Sequence, residues 1–359
     1  MFGHHCLLLC ATGLILLSRP KISAASDGDI IGVEPQNQEL PVYDDYLAFE
    51  NSWYNIERKD AEQSGFSLPP SAQLKAQLLS RPEYELRTLH DGYVCERIVY
   101  VSDGLRVVAL VFRPTHIEQL LPLIIFNRGG NREFGKLRPD NIIDFYPYLA
   151  AGFTVIGSQY RGNDGGDGQE EFGGSDVDDV LNLVPLADNL GYIDHNRIGM
   201  LGESRGGMMT YLAIKHGIRI STAVVIGAPV DEEAEAIRRP MLDVYCDLVP
   251  GFVQDPQRCY RERSALCWPE YLNVPLLILH GGSDWRVDPH GALALGQRLK
   301  ELGRPHALVI FDHDDHMLDL HRAEKERLII AWFTHYLNLN RNDRIDKRQE
   351  QEFSFGKIP

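Results

Sequence analysis

Positive charge is in short supply in this chain. Its 359 residues carry 36 Lys and Arg against 51 Asp and Glu, a formal net charge of −15. Nucleic acid and acidic membrane surfaces both repel a polyanion, so neither is expected as a partner. Long apolar runs are scarce as well. The run Cys6 to Leu17 holds 12 residues, whereas a bilayer-spanning helix needs roughly 20. Together with Ser23-Ala24-Ala25 it reads as a secretory signal over residues 1–25, with an uncleaved anchor as the other reading. His4 and His5 stand where Lys or Arg is usual, and Leu9 before Cys10 lacks the small residue of a bacterial lipoprotein signal. Once such a segment is removed, no stable membrane insertion is expected. Cysteine is sparse too, and only Cys95, Cys246, Cys259 and Cys267 lie beyond the leader. The last three are close enough for a local disulfide in an oxidising compartment, or they are free core thiols. Their spacings do not match the C-x₂₋₄-C pairs of zinc knuckles, so no metal is expected. Internal repeats and low-complexity tracts are also missing, which leaves an ordinary globular composition, 44% hydrophobic and 24% charged.

What is present is alternation. Residues 26–88 are polar and irregular, with helical patterning at 46–59 and 70–79, and residues 26–94 read as an N-terminal extension. Strand-like runs follow at 97–101, 107–112, 121–127, 153–158, 197–201, 222–226, 274–280 and 307–311. Amphipathic helical stretches lie between most of them, at 141–151, 176–190, 205–216, 290–302 and 323–337. Strand–helix alternation predicts a mostly parallel eight-stranded sheet with helices on both faces, its first two strands a hairpin. Residues 95–340 are expected to form one α/β-hydrolase domain. Residues 229–272 interrupt the alternation and read as a small lid over the carboxyl edge of the sheet, where open α/β sheets bind ligands. Residues 341–359 are charged and aperiodic and read as a flexible tail.

The chemistry concentrates at Gly202, Ser204 and Gly206, a Gly-x-Ser-x-Gly pentapeptide between an apolar strand and a helix. That is the sequence context of a nucleophile elbow, against the plainer reading of Ser204 as a helix N-cap. A serine hydroxyl needs a base, normally a histidine oriented by a carboxylate, and in this fold the acid and then the histidine follow the serine along the chain. Asp284, in the loop after the seventh strand, suits the acid; its rival Asp288 precedes Pro289 and reads as a helix cap. His316 is the expected base, ahead of His313 and His321. The cluster His313, Asp314 and His316 also mimics a metal site, but that reading leaves the elbow unexplained. Backbone amides of Arg205 and of Gly130, in the loop Asn127-Arg128-Gly129-Gly130-Asn131, are expected to form an oxyanion hole.

Residues 105–337 resemble the catalytic domain of the prolyl oligopeptidase family of serine peptidases. The likeness is carried in order by Arg128-Gly129-Gly130-Asn131, Gln159 to Gly166, Asp176 to Asp179, Tyr192-Ile193-Asp194, Gly202 to Gly207, Ala228-Pro229-Val230 and Pro275 to Gly281. It implies Ser204, Asp284 and His316 as the triad, with the Gly130 and Arg205 amides as oxyanion donors. Arg128 and Asn131 depart from the family's His and Pro, and Arg205 stands where tyrosine is frequent. Peptide-cleaving members often carry an N-terminal β-propeller, and residues 26–88 lack the patterning for one. The expected activity is therefore a serine hydrolase cleaving small peptides without cofactor or metal. A carboxylesterase is the alternative, and a non-catalytic binding protein on the same scaffold the reading from another class. Arg128 and Asn131, with Glu233 from the acidic stretch Asp231 to Glu235, are the expected substrate-binding side chains. The arginines near the pocket, Arg128 and Arg205, would meet a carboxylate, and Asp231 to Glu235 a cationic amino terminus.

Overall fold

A computed structural model describes residues 25–36, 40–67, 78–88, 91–238 and 241–337. The leader, the helix expected at 70–79 (apart from its last two residues) and the tail lie outside the described residues. The strands form one sheet. It comprises β1 (Ile30–Pro35), β2 (Tyr93–Ser102), β3 (Leu105–Pro114), β4 (Leu121–Asn127), β5 (Thr154–Ser158), β6 (Ile193–Glu203), β7 (Thr222–Ile226), β8 (Leu276–Gly281) and β9 (His306–Phe311). Their order is β1-β2-β3-β5-β4-β6-β7-β8-β9. β2 and β3 form the expected antiparallel hairpin, and from β5 to β9 the neighbours run parallel. Among the described residues the sheet has nine strands, because β1 from the supposedly irregular extension pairs antiparallel with β2.

Side chains alternate across a strand, so a centrally placed strand supplies two cores. In β4, Leu123 and Ile125 pack into one and Ile124 and Phe126 into the other. The first core is closed by α4 (Asp176–Leu181), α5 (Leu183–Leu190), α6 (Arg205–Lys215) and α10 (Pro289–Glu301); the second by α2 (Arg81–Thr88), α3 (Ile142–Ala150) and α11 (Arg322–Tyr336). The single helix expected at 176–190 is broken at Asn182. Pro185, in the first turn of α5, has no N–H to give the carbonyl four residues back, which favours a break at this point.

Two segments build the rim of the sheet. The insertion between β7 and β8 carries α7 (Glu232–Arg238), α8 (Leu242–Leu248) and α9 (Pro256–Arg263). These are held by an aromatic cluster of Phe172, Tyr245, Phe252 and Tyr260. Cys246, Cys259 and Cys267 are free thiols there. The other segment is α1 (Tyr43–Gln63), which buries Tyr46, Tyr54 and Ala61. Among the described residues no helix is long and apolar enough to cross a membrane.

Candidate active site

β6 delivers Ser204 at its carboxyl end, and α6 begins with the next residue. Between them the chain turns so sharply that Ser204 adopts φ 55° and ψ −126°, a region that non-glycine residues rarely enter. The turn is pinned by Ser204 N–H donating to Ile226 O at 2.8 Å and Gly207 N–H to Ser204 O at 2.8 Å. Gly206 is required by closeness: a Cβ there would stand 1.8 Å from Asn127 O. Ser204 makes no side-chain cap to α6, which sets aside the plain helix-cap reading.

Asp284 and His316 meet at the next edge of the sheet. The loop after β9 folds back over the end of β8, so close that a Cβ on Gly281 would lie 2.0 Å from Asp315 O. This brings His316 Nδ1 within 2.7 Å of Asp284 Oδ2. Asp284 is 2% exposed. Its Oδ1 accepts the backbone N–H of Arg286 at 2.8 Å and of Val287 at 3.0 Å. Burial alone would raise the Asp284 carboxyl, but His316 and the hydrogen bond from His280 outweigh it and hold the group well below the usual carboxylate range. The rivals are occupied elsewhere. Asp288 caps α10 through His290 N–H at 3.0 Å, with proline in the first turn. His313 is exposed, and His321 Nδ1 is 2.8 Å from Asp314 Oδ2.

Ser204 and His316 line one cavity of about 350 Å³ together with Arg128, Gly129, Gly130, Asn131 and Arg205. Gly130 has φ 65°. Asn131 stands at the cavity. Arg128 also borders it, but its guanidinium does not face a ligand. It donates to Gly129 O and Phe134 O, both at 3.2 Å, and to Gln159 O at 3.0 Å, and the residue is 1% exposed. The Arg205 side chain is likewise committed, to Gly130 O, Glu170 and Asp176. The expectation that these arginines hold a substrate carboxylate is therefore corrected.

Glu233 is corrected too. It accepts from Gln257 Nε2 at 2.5 Å on α9 and does not line the cavity, whereas Glu232 and Glu235 do. Residues three apart share a helix face and a residue between them does not, so Glu232 and Glu235 share the cavity side of α7 and Glu233 does not. Glu232 Oε2 accepts the Tyr245 hydroxyl, while its Oε1 is buried without a hydrogen-bond partner. Glu235 Oε1 accepts Asp288 N–H at 3.0 Å, and its buried Oε2 has Arg238 Nη1 3.7 Å away. Burial pushes the Glu232 carboxyl up to about 7.

Further residues escaped the sequence reading. His280, at the end of β8, places Nε2 3.0 Å from Asp284 Oδ2. The available signal was a polar ring closing an apolar strand four residues ahead of the acid. Trp53 and Glu57 of α1 form part of the cavity wall. Trp53 stacks on Phe134 with ring centroids 5.6 Å apart, and Glu57 pairs with Arg286. No local signal links these residues to a serine in another part of the chain. Among the described residues no group of His, Cys, Asp and Glu is arranged to hold a metal ion.

Comparison with known proteins gives the same picture of the chain's relatives. Residues 143–340 match the model of the prolyl oligopeptidase family. The uncharacterized peptidase YtmA of Bacillus subtilis is 30% identical over 260 residues, covering 71% of this chain and 91% of that protein. Acylamino-acid-releasing enzyme 1 of Oryza sativa subsp. japonica is 26% identical over 60% of this chain and 30% of its own length. Among solved structures, a puromycin-hydrolyzing peptidase of Mycobacterium tuberculosis superposes with a TM-score of 0.62 at 23% identity, over 69% of this chain and 40% of that one. The last two relatives are thus much longer than the region they share with this chain, and the solved structure is a likeness of fold.

Proposed function

The chain belongs to the prolyl oligopeptidase family of serine peptidases, and from that premise we propose that it cleaves short peptides through Ser204, Asp284 and His316. His316 Nε2 takes the proton from the Ser204 hydroxyl as the oxygen attacks the scissile carbonyl. Asp284, accepting from Nδ1, fixes the tautomer and stabilises the imidazolium that forms. The tetrahedral oxyanion is met by the backbone amides of Gly130 and Arg205. His316 then protonates the leaving amine, and water releases the acyl group by the same route. The observation that carries the reading is the 2.7 Å contact of His316 with a buried, ionised Asp284, in a cavity shared with a serine at a strained turn.

A fluorophosphonate probe tests it on the whole chain. Wild type is expected to label and a folded Ser204→Ala variant is not; a folded wild type that stays unlabelled sinks the reading and favours a binding protein. Labelled enzyme is then assayed on matched amide and ester substrates. Turnover of esters alone would make it the carboxylesterase.

The lid wall supports a finer reading. Glu232, whose buried Oε1 has no hydrogen-bond partner, and Glu235, whose Oε2 has only the 3.7 Å contact with Arg238, both line the cavity, where Glu57 is already paired with Arg286. A substrate ammonium would satisfy both, and a buried charge gains most from a paired, hydrogen-bonded partner. Glu232→Gln and Glu235→Gln are expected to raise KM roughly tenfold for peptides with a free amino end, the loss of one charge-assisted bond. KM for their N-acetylated counterparts should stay unchanged. Equal effects on both substrate sets, or none, would rule out this anchor.

A further inference from the structure

Beneath the loop that follows β4 lies a buried charge cluster that the reaction as written does not use. Arg128 and Arg205 each place the guanidinium carbon 4.8 Å from the Tyr160 ring centroid. Glu170, 6% exposed, accepts from Arg205 Nη1 at 2.9 Å and lies 3.6 Å from Arg128 Nη2. Its other oxygen accepts the backbone N–H of Arg132. Asp176 takes Arg205 Nη2 at 2.6 Å. Two cations and two anions balance, as burial demands, since removing one member strands a charge.

Each arginine also donates to one of two consecutive carbonyls. Arg128 Nη1 donates to Gly129 O at 3.2 Å and Arg205 Nη1 to Gly130 O at 2.9 Å. In a planar trans peptide the C=O and the following N–H point in opposite directions. Tying these carbonyls to the arginines therefore turns the amides of Gly130 and Asn131 away from the cluster. Ser204 lies against the same loop, where a Cβ on Gly129 would stand 3.2 Å from Ser204 Cβ.

We propose that Glu170 is a positioning residue for the oxyanion hole. By gathering Arg128, Arg205 and the Arg132 amide, it fixes the peptide planes between Gly129 and Arg132, so that the Gly130 amide, on the plane whose carbonyl Arg128 holds, meets the developing oxyanion. The inference rests on Ser204 being the nucleophile, and Glu170 itself touches no substrate.

The test uses Glu170→Ala and Glu170→Gln in the full chain, with folding checked by circular dichroism and thermal melting. A single oxyanion donor is worth roughly 10²- to 10³-fold in kcat. A misaimed donor in Glu170→Ala is expected to cost roughly 10- to 100-fold in kcat with KM little changed. Glu170→Gln, which keeps an acceptor for the Arg132 amide, is expected to recover part of the loss. Affinity for a peptide aldehyde, which forms an oxyanion on Ser204, should fall in parallel with kcat/KM. A peptide with a reduced scissile bond, which forms none, should bind as before. The inference is overturned if a folded variant keeps kcat and aldehyde affinity within twofold of wild type, or loses aldehyde and reduced peptide alike. Should Glu170→Ala not fold, Glu170→Gln decides. Failure of wild type to label with fluorophosphonate would instead sink the underlying reading, so the two failures are separable.

Discussion

Four donors converge on the carboxylate of Asp284: the amides of Arg286 and Val287 on Oδ1, and the rings of His316 and His280 on Oδ2. The backbone pair fixes the plane of the group and the ring pair fixes the direction from which His316 is held. His280 is fully buried, and its Nε2 also lies 3.2 Å from Val287 O, so a proton on that nitrogen serves both acceptors. We predict that His280→Ala lowers kcat roughly 10- to 100-fold with little change in KM, in line with the 1.5–3 kcal/mol of a hydrogen bond to a charged group. Asp284→Asn should lower it by about 10⁴-fold, because the amide favours the wrong tautomer of the base. Steady-state kinetics on one chromogenic peptide compares them; equal losses would promote His280 from support to full partner. Ser204, Asp284 and His316 were all legible in the sequence because chain order and loop position leave few candidates. His280 was not, since a buried histidine at a strand end looks the same whether it packs or orients.

Legibility falls at the scale of the element, where phase and partner matter more than type. The helix at α1 was readable from its pattern, but its seat was not. Only Tyr46, Tyr54 and Ala61 are buried along it, too few to announce what their face touches. That face puts Trp53 on Phe134 and Glu57 on Arg286, whose own N–H is spent on Asp284. α1 is thus tied both to the cavity wall and to the loop of the acid. In α7 the difficulty is angular: one residue is about 100° of helix, so the boundary must be known to a single position before Glu232 and Glu235 can be told from Glu233. The nine strands show the opposite case. Eight were legible because each is a short apolar run, whereas most of β1 remains partly or fully exposed at the sheet's edge and so lacks that signature. From the seat of α1 we predict that Trp53→Ala widens the cavity, raising kcat/KM several-fold for substrates with bulky side chains relative to small ones. A substrate panel differing only in side-chain volume measures this, and an unchanged ratio would separate Trp53 from substrate contact.

For the molecule as a whole, pH acts through carboxyls displaced in both directions. Burial pushes Glu50, Glu203 and Glu232 up to about 7 each. A carboxyl raised in the folded state contributes stability that is complete below its unfolded value, near 4.5, and is lost as pH climbs through the folded value. Asp284, held low, contributes in the other sense: its stabilisation is present above the ordinary carboxylate range and is lost only as pH falls below it. Thermal stability is therefore expected to rise on going from pH 8 to about pH 5 and to fall again in stronger acid. Glu203→Gln, which removes one displaced group, should raise Tm at pH 8 and leave it nearly unchanged at pH 5; a Tm gain of the same size at both values would mean the effect is packing rather than protonation. The net charge of −15 adds self-repulsion that works in the same direction. One feature of the architecture reaches past stability. Part of the wall of the cavity that holds Ser204 is supplied by α1, while Ser204, Asp284 and His316 follow β6, β8 and β9. Selection can then redraw what the enzyme admits by rewriting a helix near the start of the chain, and the hydrolytic machinery inherits the new diet without a single change of its own.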